Sequence, residues 1–346
     1  MGDYKFAKDK VPELLSGLEG YKVFAPTVAG DVVRFSEVED PSKVTLDFIN
    51  SKVPPKELMF PETETLFKYR MGGTEIESAV PDPGAKRVVF GIRPCDAMAY
   101  TLVDRLFNWD FNDPYFNNRR EGTTLVGYAC EKPGANCFCP SLGGAPAGEE
   151  GLDAIFYDLG ETYYLKTLTD KGEEFAKAGG GVLEAAGDAE KKAAAAQADA
   201  ALKAIKRSVD TEGIPENLPS LYDDAFWEQF SDRCLGCGIC TFLCPTCHCF
   251  DIQDEIERYD GRRARMWDSC MFSEYTLHTS GHNPRPTRKE RTRNRVTHKY
   301  SYFPSKFEVI ACVGCGRCTG NCPENIDLIE ILEKSKEAAG KEAKSA

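Results

Sequence analysis

Long apolar runs are missing from this 346-residue chain, and no uninterrupted stretch approaches the length that crosses a bilayer. Its opening residues, MGDYKFAKDKVPELL, lack the apolar core that directs secretion. The fingerprints of nucleotide chemistry are missing too. No GxGxxG follows a strand-like run, there is no P-loop, and no nucleophile elbow is present. Excess positive charge is also lacking. A formal net charge of −12 argues against nucleic acid as a general partner. These absences predict a soluble cytoplasmic protein with no membrane span and no evident nicotinamide or flavin site.

Cysteine, in contrast, is abundant, with 15 residues. In a long chain without a secretory leader, thiols held as metal ligands fit a reducing compartment better than a disulfide framework does. Cys234, Cys237, Cys240 and Cys244 follow the spacing C-x2-C-x2-C-x3-C, with Pro245 next. Cys312, Cys315, Cys318 and Cys322 repeat it, followed by Pro323. This duplicated run is the ligand spacing of bacterial-type ferredoxins, in which each repeat serves a [4Fe–4S] cluster. Three cysteines at i, i+3 and i+6 wrap a loop around three corners of a cubane. Gly236, Gly238, Gly314 and Gly316 allow the tight bends. The fourth cysteine of such a run ligates the other cluster. The expected sets are therefore Cys234, Cys237, Cys240 with Cys322, and Cys312, Cys315, Cys318 with Cys244. A zinc ribbon needs only two CxxC pairs and leaves the third cysteine and the Cys-Pro of each repeat unexplained.

Composition divides the chain into segments. Residues 1–170 read as an α/β domain: Arg87–Ile92 (RVVFGI) and Thr123–Ala129 (TTLVGYA) are buried-strand candidates, and an amphipathic helix runs from Pro94 through Phe107. Asp153–Asp158 and Thr162–Leu168 read as a hairpin. Residues 171–220 are an Ala-rich helical connector in two pieces. Its apolar stripe is Ala198, Leu202, Ile205 and Val209. Residues 221–332 carry the repeats, with sixty-seven residues between Cys244 and Cys312. An α-helical ferredoxin-like domain with an inserted basic segment is expected there. Residues 333–346 read as a frayed polar tail.

Cys95 and Cys130 each follow a predicted buried strand, so in a parallel sheet both thiols face one edge. Cys137 and Cys139 lie in a loop placed to fold over that edge. These four are candidates for a third [4Fe–4S] cluster; a zinc site with the same ligands, or simple packing as small hydrophobes, are the alternatives. Cys247, His248, Cys249 and Cys270 read as packing around the first repeat, whose ligand demand is already met. His278 and His282 are four apart, but Thr279-Ser280-Gly281 is a poor helix and carries no zinc motif. The basic residues Arg285, Arg288, Lys289, Arg291, Arg293, Arg295, Lys299 and Lys306 are expected to neutralise anionic clusters or to dock an acidic subunit.

The phrases GIRPCDAMAY (91–100), CEKPGANCFCPSLGG (130–144), CLGCGICTFLCPTCHCFDI (234–252), WDSC (267–270), NPRPTRKERTRNRVTHKY (283–300) and CVGCGRCTGNCPENIDL (312–328) resemble the 4Fe–4S dicluster family. That family includes one of the subunits of the anaerobic sulfite reductases and the β subunit of cytoplasmic sulfhydrogenases. Similar subunits accompany flavin oxidoreductases that feed heterodisulfide reductases. The resemblance implies an electron-transfer subunit of an anaerobic redox complex. It would lie between an FAD- and NAD(P)-binding oxidoreductase subunit and a terminal hydrogenase, sulfite reductase or heterodisulfide reductase. A self-contained iron–sulfur or flavin oxidoreductase is the alternative.

Overall fold

Apolar residues on both faces of RVVFGI and TTLVGY demand cover on both sides. The computed structural model, which describes residues 1–345, supplies it. In chain order the strands are β1 (Asp3–Ala7), β2 (Lys22–Ala29), β3 (Val32–Glu37), β4 (Thr63–Arg70), β5 (Ile76–Ser78) and β6 (Arg87–Ile92). Then come β7 (Thr123–Tyr128), β8 (Ala154–Asp158), β9 (Thr162–Thr167), β10 (Glu184–Ala185), β11 (Phe250–Glu257) and β12 (Asp260–Trp267). The larger sheet has the order β10-β1-β9-β8-β7-β6-β2-β3. Its centre, β8-β7-β6-β2, is parallel, and the outer pairs are antiparallel.

Val89, Ile92, Leu125 and Ile155 pack on one face with Ala97, Tyr100 and Val103 of the helix Pro94–Phe107. Val88, Phe90, Val126 and Phe156 pack on the other with Leu14, Leu15 and Phe175 from the helices Val11–Ser16 and Asp170–Ala178. Strands buried on both faces need continuous apolar runs, which is why these segments do not alternate. The β6–β7 register slips at Gly91, whose φ of +81° only glycine adopts easily. This bulge ends β6 and aims the chain into Pro94-Cys95-Asp96.

A second sheet, β11-β12-β4-β5, is antiparallel throughout. It joins a hairpin from between the cysteine repeats to strands from the N-terminal third. The buried Arg265 of β12 pairs with Glu64 of β4, with Nε 3.0 Å from the carboxylate, and also with Asp113. The C-terminal region is therefore not the wholly helical domain that the sequence suggests, because part of its insertion completes this sheet. The Ala-rich segment is a brace against the larger sheet. It contributes β10 and the helix Asp188–Ala204, which buries Ala194 and Ala201. Of the expected stripe, Leu202 faces solvent at 43% exposure, while Val209 is buried.

Residues 333–345 belong to the helix Leu328–Ser345 and not to a frayed tail, while Ala346 lies outside the described residues. Ile331, Leu332 and Ser335 are buried along one side, and Glu330 pairs with Lys334 one turn on at 2.6 Å. Apolar anchorage at the start of a run of good helix formers is enough to propagate it.

The two cysteine runs fold alike. Each passes through two positive-φ glycines, Gly236 and Gly238 in the first and Gly314 and Gly316 in the second. Short helices follow, Ile239–Phe242 and Arg317–Gly320. The second run is also clasped by the α/β domain. Phe138 N–H donates to Gly314 O at 2.8 Å. A Cβ on Gly314 would lie 2.6 Å from the backbone of Phe138 and Cys139, and one on Gly316 would lie 2.4 Å from Asn136 O. At Gly236 an added Cβ would meet only Met271 O, at 3.5 Å. Gly314→Ala is expected to cost about 2 kcal/mol or more, from backbone strain plus collision. Gly236→Ala should cost about 1 kcal/mol. Thermal midpoints of the two variants, measured side by side, check the difference.

Candidate functional site

Loops position most of the cysteines, and strand ends or short helices anchor them. The first run closes a cavity of about 70 Å³ whose wall includes Cys234, Cys237, Cys240 and Cys322, with Cys318 and Arg295 beside them. The remaining members of the second run, Cys312 and Cys315, lie within electrostatic reach of Cys318 and of Cys244. Two backbone amides donate to cysteine sulfurs of these runs: Gly236 N–H to Cys234 Sγ and Ile326 N–H to Cys322 Sγ, each at 3.4 Å.

A third group forms where β6 and β7 end. Cys95, in the first turn of the helix Pro94–Phe107, lies near Cys130, Cys130 near Cys137, and Cys139 near both. Parallel pairing of β6 with β7 puts the first two at one sheet edge. The loop through Asn136 brings the others across it. This group also touches the second run: Cys137 Sγ lies 3.7 Å from Cys315 O, and Asn50 Nδ2 donates to the same carbonyl at 3.2 Å.

Burial pushes the thiols of Cys95, Cys130, Cys137, Cys312 and Cys315 above their ordinary value, Cys240 up to about 11 and Cys139 up to about 12. Left as free thiols they would stay neutral; bound to iron they would be thiolates whose charge the metal offsets. Cys244 differs. A hydrogen bond from Cys247 holds it well below the usual thiol range, against burial and with help from Lys299 and Arg295.

Three buried cations face these sulfurs. Arg295 Nη1 is 3.5 Å from Cys247 Sγ. Lys299 Nζ donates to Thr246 Oγ1 and Ala311 O at 2.7 and 2.8 Å. Lys56 Nζ donates to Cys247 O at 2.9 Å and sits 3.9 Å from the centre of the Trp267 ring. Among the described residues, none of the three has a carboxylate within 4.0 Å. Burial lowers Lys56 to about 8, but the fields of Cys244 and Cys247 outweigh burial at Lys299 and raise it. Buried charge left without a counter-ion is strongly destabilising. The neighbouring sulfurs are what these cations have to pair with. The buried Tyr300 hydroxyl has no oxygen or nitrogen partner among the described residues and lies against Cys312. Donor-rich surroundings of this kind fit an anionic iron–sulfur centre and are ill matched to neutral thiols.

The remaining buried ion pair is Asp96 with Arg317, at 2.6 and 2.7 Å, with Arg317 Nε on Ser51 O at 2.9 Å. It ties the Pro-Cys-Asp turn to the second cysteine run. Neither residue, nor Lys56, stands out in the sequence; only the position of Asp96, next to a candidate ligand, carries any signal.

Of the two roles expected of the basic insertion, neutralisation or docking, its three central arginines are not placed for the second. Arg291, Arg293 and Arg295 are each less than a tenth exposed. Arg293 stacks 3.5 Å from the Tyr222 ring and donates to Tyr222 O, while Arg291 donates to Arg285 O and Pro286 O. The helix Arg288–Thr297 turns these side chains inward, where backbone carbonyls and sulfurs satisfy them. Cys247, Cys249 and Cys270 adjoin this group, and His278 and His282 sit in a turn closed by His278 N–H to His282 O at 2.8 Å.

The repeated cysteine runs on matching loops define an iron–sulfur protein, and residues 233–326 match the family described as a 4Fe–4S dicluster domain. The chain belongs to the family of the sulfhydrogenase β subunits. It is 30% identical over 335 residues to sulfhydrogenase 2 subunit beta of Pyrococcus furiosus, spanning 96% of this chain and 98% of that one. No solved structure matches it. No helix among the described residues is long and apolar enough to cross a membrane.

Asp96→Asn should destabilise the protein by about 3–5 kcal/mol, since it strands Arg317 in the interior. The paired replacement Asp96→Leu with Arg317→Met should recover most of that loss. Chemical denaturation of the three proteins, followed by tryptophan fluorescence, checks both outcomes.

Proposed function

We propose that this chain is an electron-relay subunit. In this reading Cys234, Cys237, Cys240 and Cys322 hold one [4Fe–4S] cluster and Cys312, Cys315, Cys318 and Cys244 a second. Cys95, Cys130, Cys137 and Cys139 hold a third. The observation that carries it is the serial arrangement of the three cysteine groups: Cys95 neighbours Cys315, and Cys318 shares the wall of the cavity lined by the first run. Groups in series are what one-electron transfer through a protein requires. Clusters, when bound, supply the one-electron centres. The chain's part is to hold them in order, exclude water, and offset their charge with Arg295, Lys299 and Lys56.

The family adds the neighbours. A partner carrying FAD and a nicotinamide site would convert a hydride into single electrons. A terminal hydrogenase would consume or supply them, with a sulfite or heterodisulfide reductase as the other candidates. The ferredoxin-like half, 221–332, is built in this reading on short helices with the β11–β12 hairpin added. The α/β half, 1–170, contributes the third site, and 171–220 braces it. The setting in this reading is the reducing cytoplasm, where thiols serve as metal ligands.

Protein isolated without oxygen should bind about twelve irons per chain. Cys322→Ser and Cys139→Ser should each lose about four of them. Stoichiometric zinc in place of iron would overturn the reading. A Cys139→Ser protein that keeps every iron would remove the third site and leave the first two.

Lys299→Met should keep its iron but lower the potential of the nearest centre by some tens of millivolts, because nearby positive charge favours the reduced form. A redox titration followed by electron paramagnetic resonance measures the shift. Turnover of NAD(P)H by the isolated chain would show a self-contained enzyme instead.

A further inference from the structure

Three cysteines stand outside the ligand sets: Cys247, Cys249 and Cys270. Cys247 is engaged with Cys244 and Arg295. Cys249 and Cys270 lie beside it at the open end of the β11–β12 hairpin, and all three share the wall of a small cavity with Arg295 and Lys299. Asp268 N–H donates to Cys249 O at 3.0 Å, which continues the ladder one step beyond Phe250 and Trp267 and brings Cys270 alongside. The Cys270 thiol and the Tyr275 hydroxyl are the close neighbours of Cys249 Sγ. Both sulfurs line a cavity of about 560 Å³, a volume that accommodates a small organic ligand. Trp109, Phe111 and Arg285 line it too, and Phe111 is 86% exposed.

What the pair has is the asymmetry of a reactive dithiol. The hydrogen bond from Cys270, opposed by burial and aided by Tyr275, pulls Cys249 down to about 6, while Cys270, as the donor, is raised. A thiolate stabilised beside a thiol is an attacking and resolving couple.

We propose that Cys249 and Cys270 are a thiol–disulfide exchange site for a low-molecular-weight organic disulfide bound in this cavity. Cys249 thiolate attacks one sulfur of the ligand. A protein–ligand S–S bond forms, the ligand's own S–S bond breaks, and its other half leaves as a thiolate that takes up a proton. Cys270 then gives up its proton and attacks Cys249 Sγ, forming the Cys249–Cys270 disulfide and expelling the second half as a thiol. The ligand gains two electrons from the pair and two protons, one from Cys270 and one from solvent. Excess external thiol runs the exchange backwards. The inference does not depend on the electron relay.

The test uses holoprotein under anaerobic conditions with oxidised glutathione, followed by alkylation, proteolysis and mass spectrometry. Wild-type protein should release two glutathiones per chain and yield a peptide cross-linked through Cys249 and Cys270, with its iron unchanged. Cys249→Ser should abolish both release and cross-link. Cys270→Ser should release one glutathione and retain the other on Cys249. Loss of about four irons in either variant would overturn the proposal, because the thiols would then be ligands. So would wild-type protein of full iron content that forms no Cys249–Cys270 cross-link. Iron content of the wild type separates these failures from failure of the relay itself.

Discussion

The ion pair between Asp96 and Arg317 joins the two halves of this protein. Its carboxylate stands in the first turn of the helix that follows β6, and its guanidinium begins the short helix inside the second cysteine run. Such a pair adds little net stability, since apolar residues of similar shape often do as well. Its geometry is what apolar packing cannot imitate. Two parallel bonds fix both the distance and the rotation of one element on the other. The same junction carries Asn50 on Cys315 O, Phe138 on Gly314 O, and the contact of Asn136 with Gly316. Movement there would separate Cys95 and Cys137 from Cys315, so the order of the cysteine groups depends on this one seam.

Charge gives a second constraint. A protein of net charge −12 has buried Arg295, Lys299 and Lys56 without placing a described carboxylate beside any of them. Carboxylates would be the simplest remedy if the interior held only neutral thiols. Their omission around Cys244 and Cys247, and their presence at Arg317 and Arg265, separates two kinds of buried cation. One kind is structural and paired within the chain. The other is matched to sulfur and leaves its compensation to whatever the sulfurs hold. With clusters held as proposed, the second kind would adjust potential as well as stability, because each electron added makes a cluster more anionic.

The cysteine spacing and the double-faced apolar runs are legible in the sequence because both are local. A loop that wraps a cubane needs thiols at fixed intervals, and a central strand cannot hide a polar residue on either face. The end of β6, the helix Pro94–Phe107 and the β8–β9 hairpin follow from such local rules. Positive charge misleads because exposure is not local. Arg291, Arg293 and Arg295 look like a solvated basic stretch until the Arg285 and Pro286 carbonyls, Tyr222 and Cys247 take them up. The polar C-terminal run misleads for a related reason: Glu, Lys and Ala suit a frayed end and a helix equally well, and only the buried Ile331 and Leu332 decide. Lys56 lies 191 residues from Cys247, and no local pattern announces that contact.

Cys249 and Cys270 belong to the same kind of blind spot. Read along the chain, they are extra cysteines beside a run already supplied with ligands, and packing accounts for them. The fold brings them and Cys247 to one small cavity but gives each different neighbours. Cys247 turns toward Cys244 and Arg295, whereas Cys249 turns toward Cys270 and Tyr275 at the mouth of a cavity. The pairing depends on the β11–β12 hairpin, since its ladder sets Cys249 against Asp268 and so delivers Cys270 two residues on. That hairpin in turn is held by β4 through Arg265 and Glu64. The second sheet therefore fixes where these two thiols stand relative to the cysteine runs.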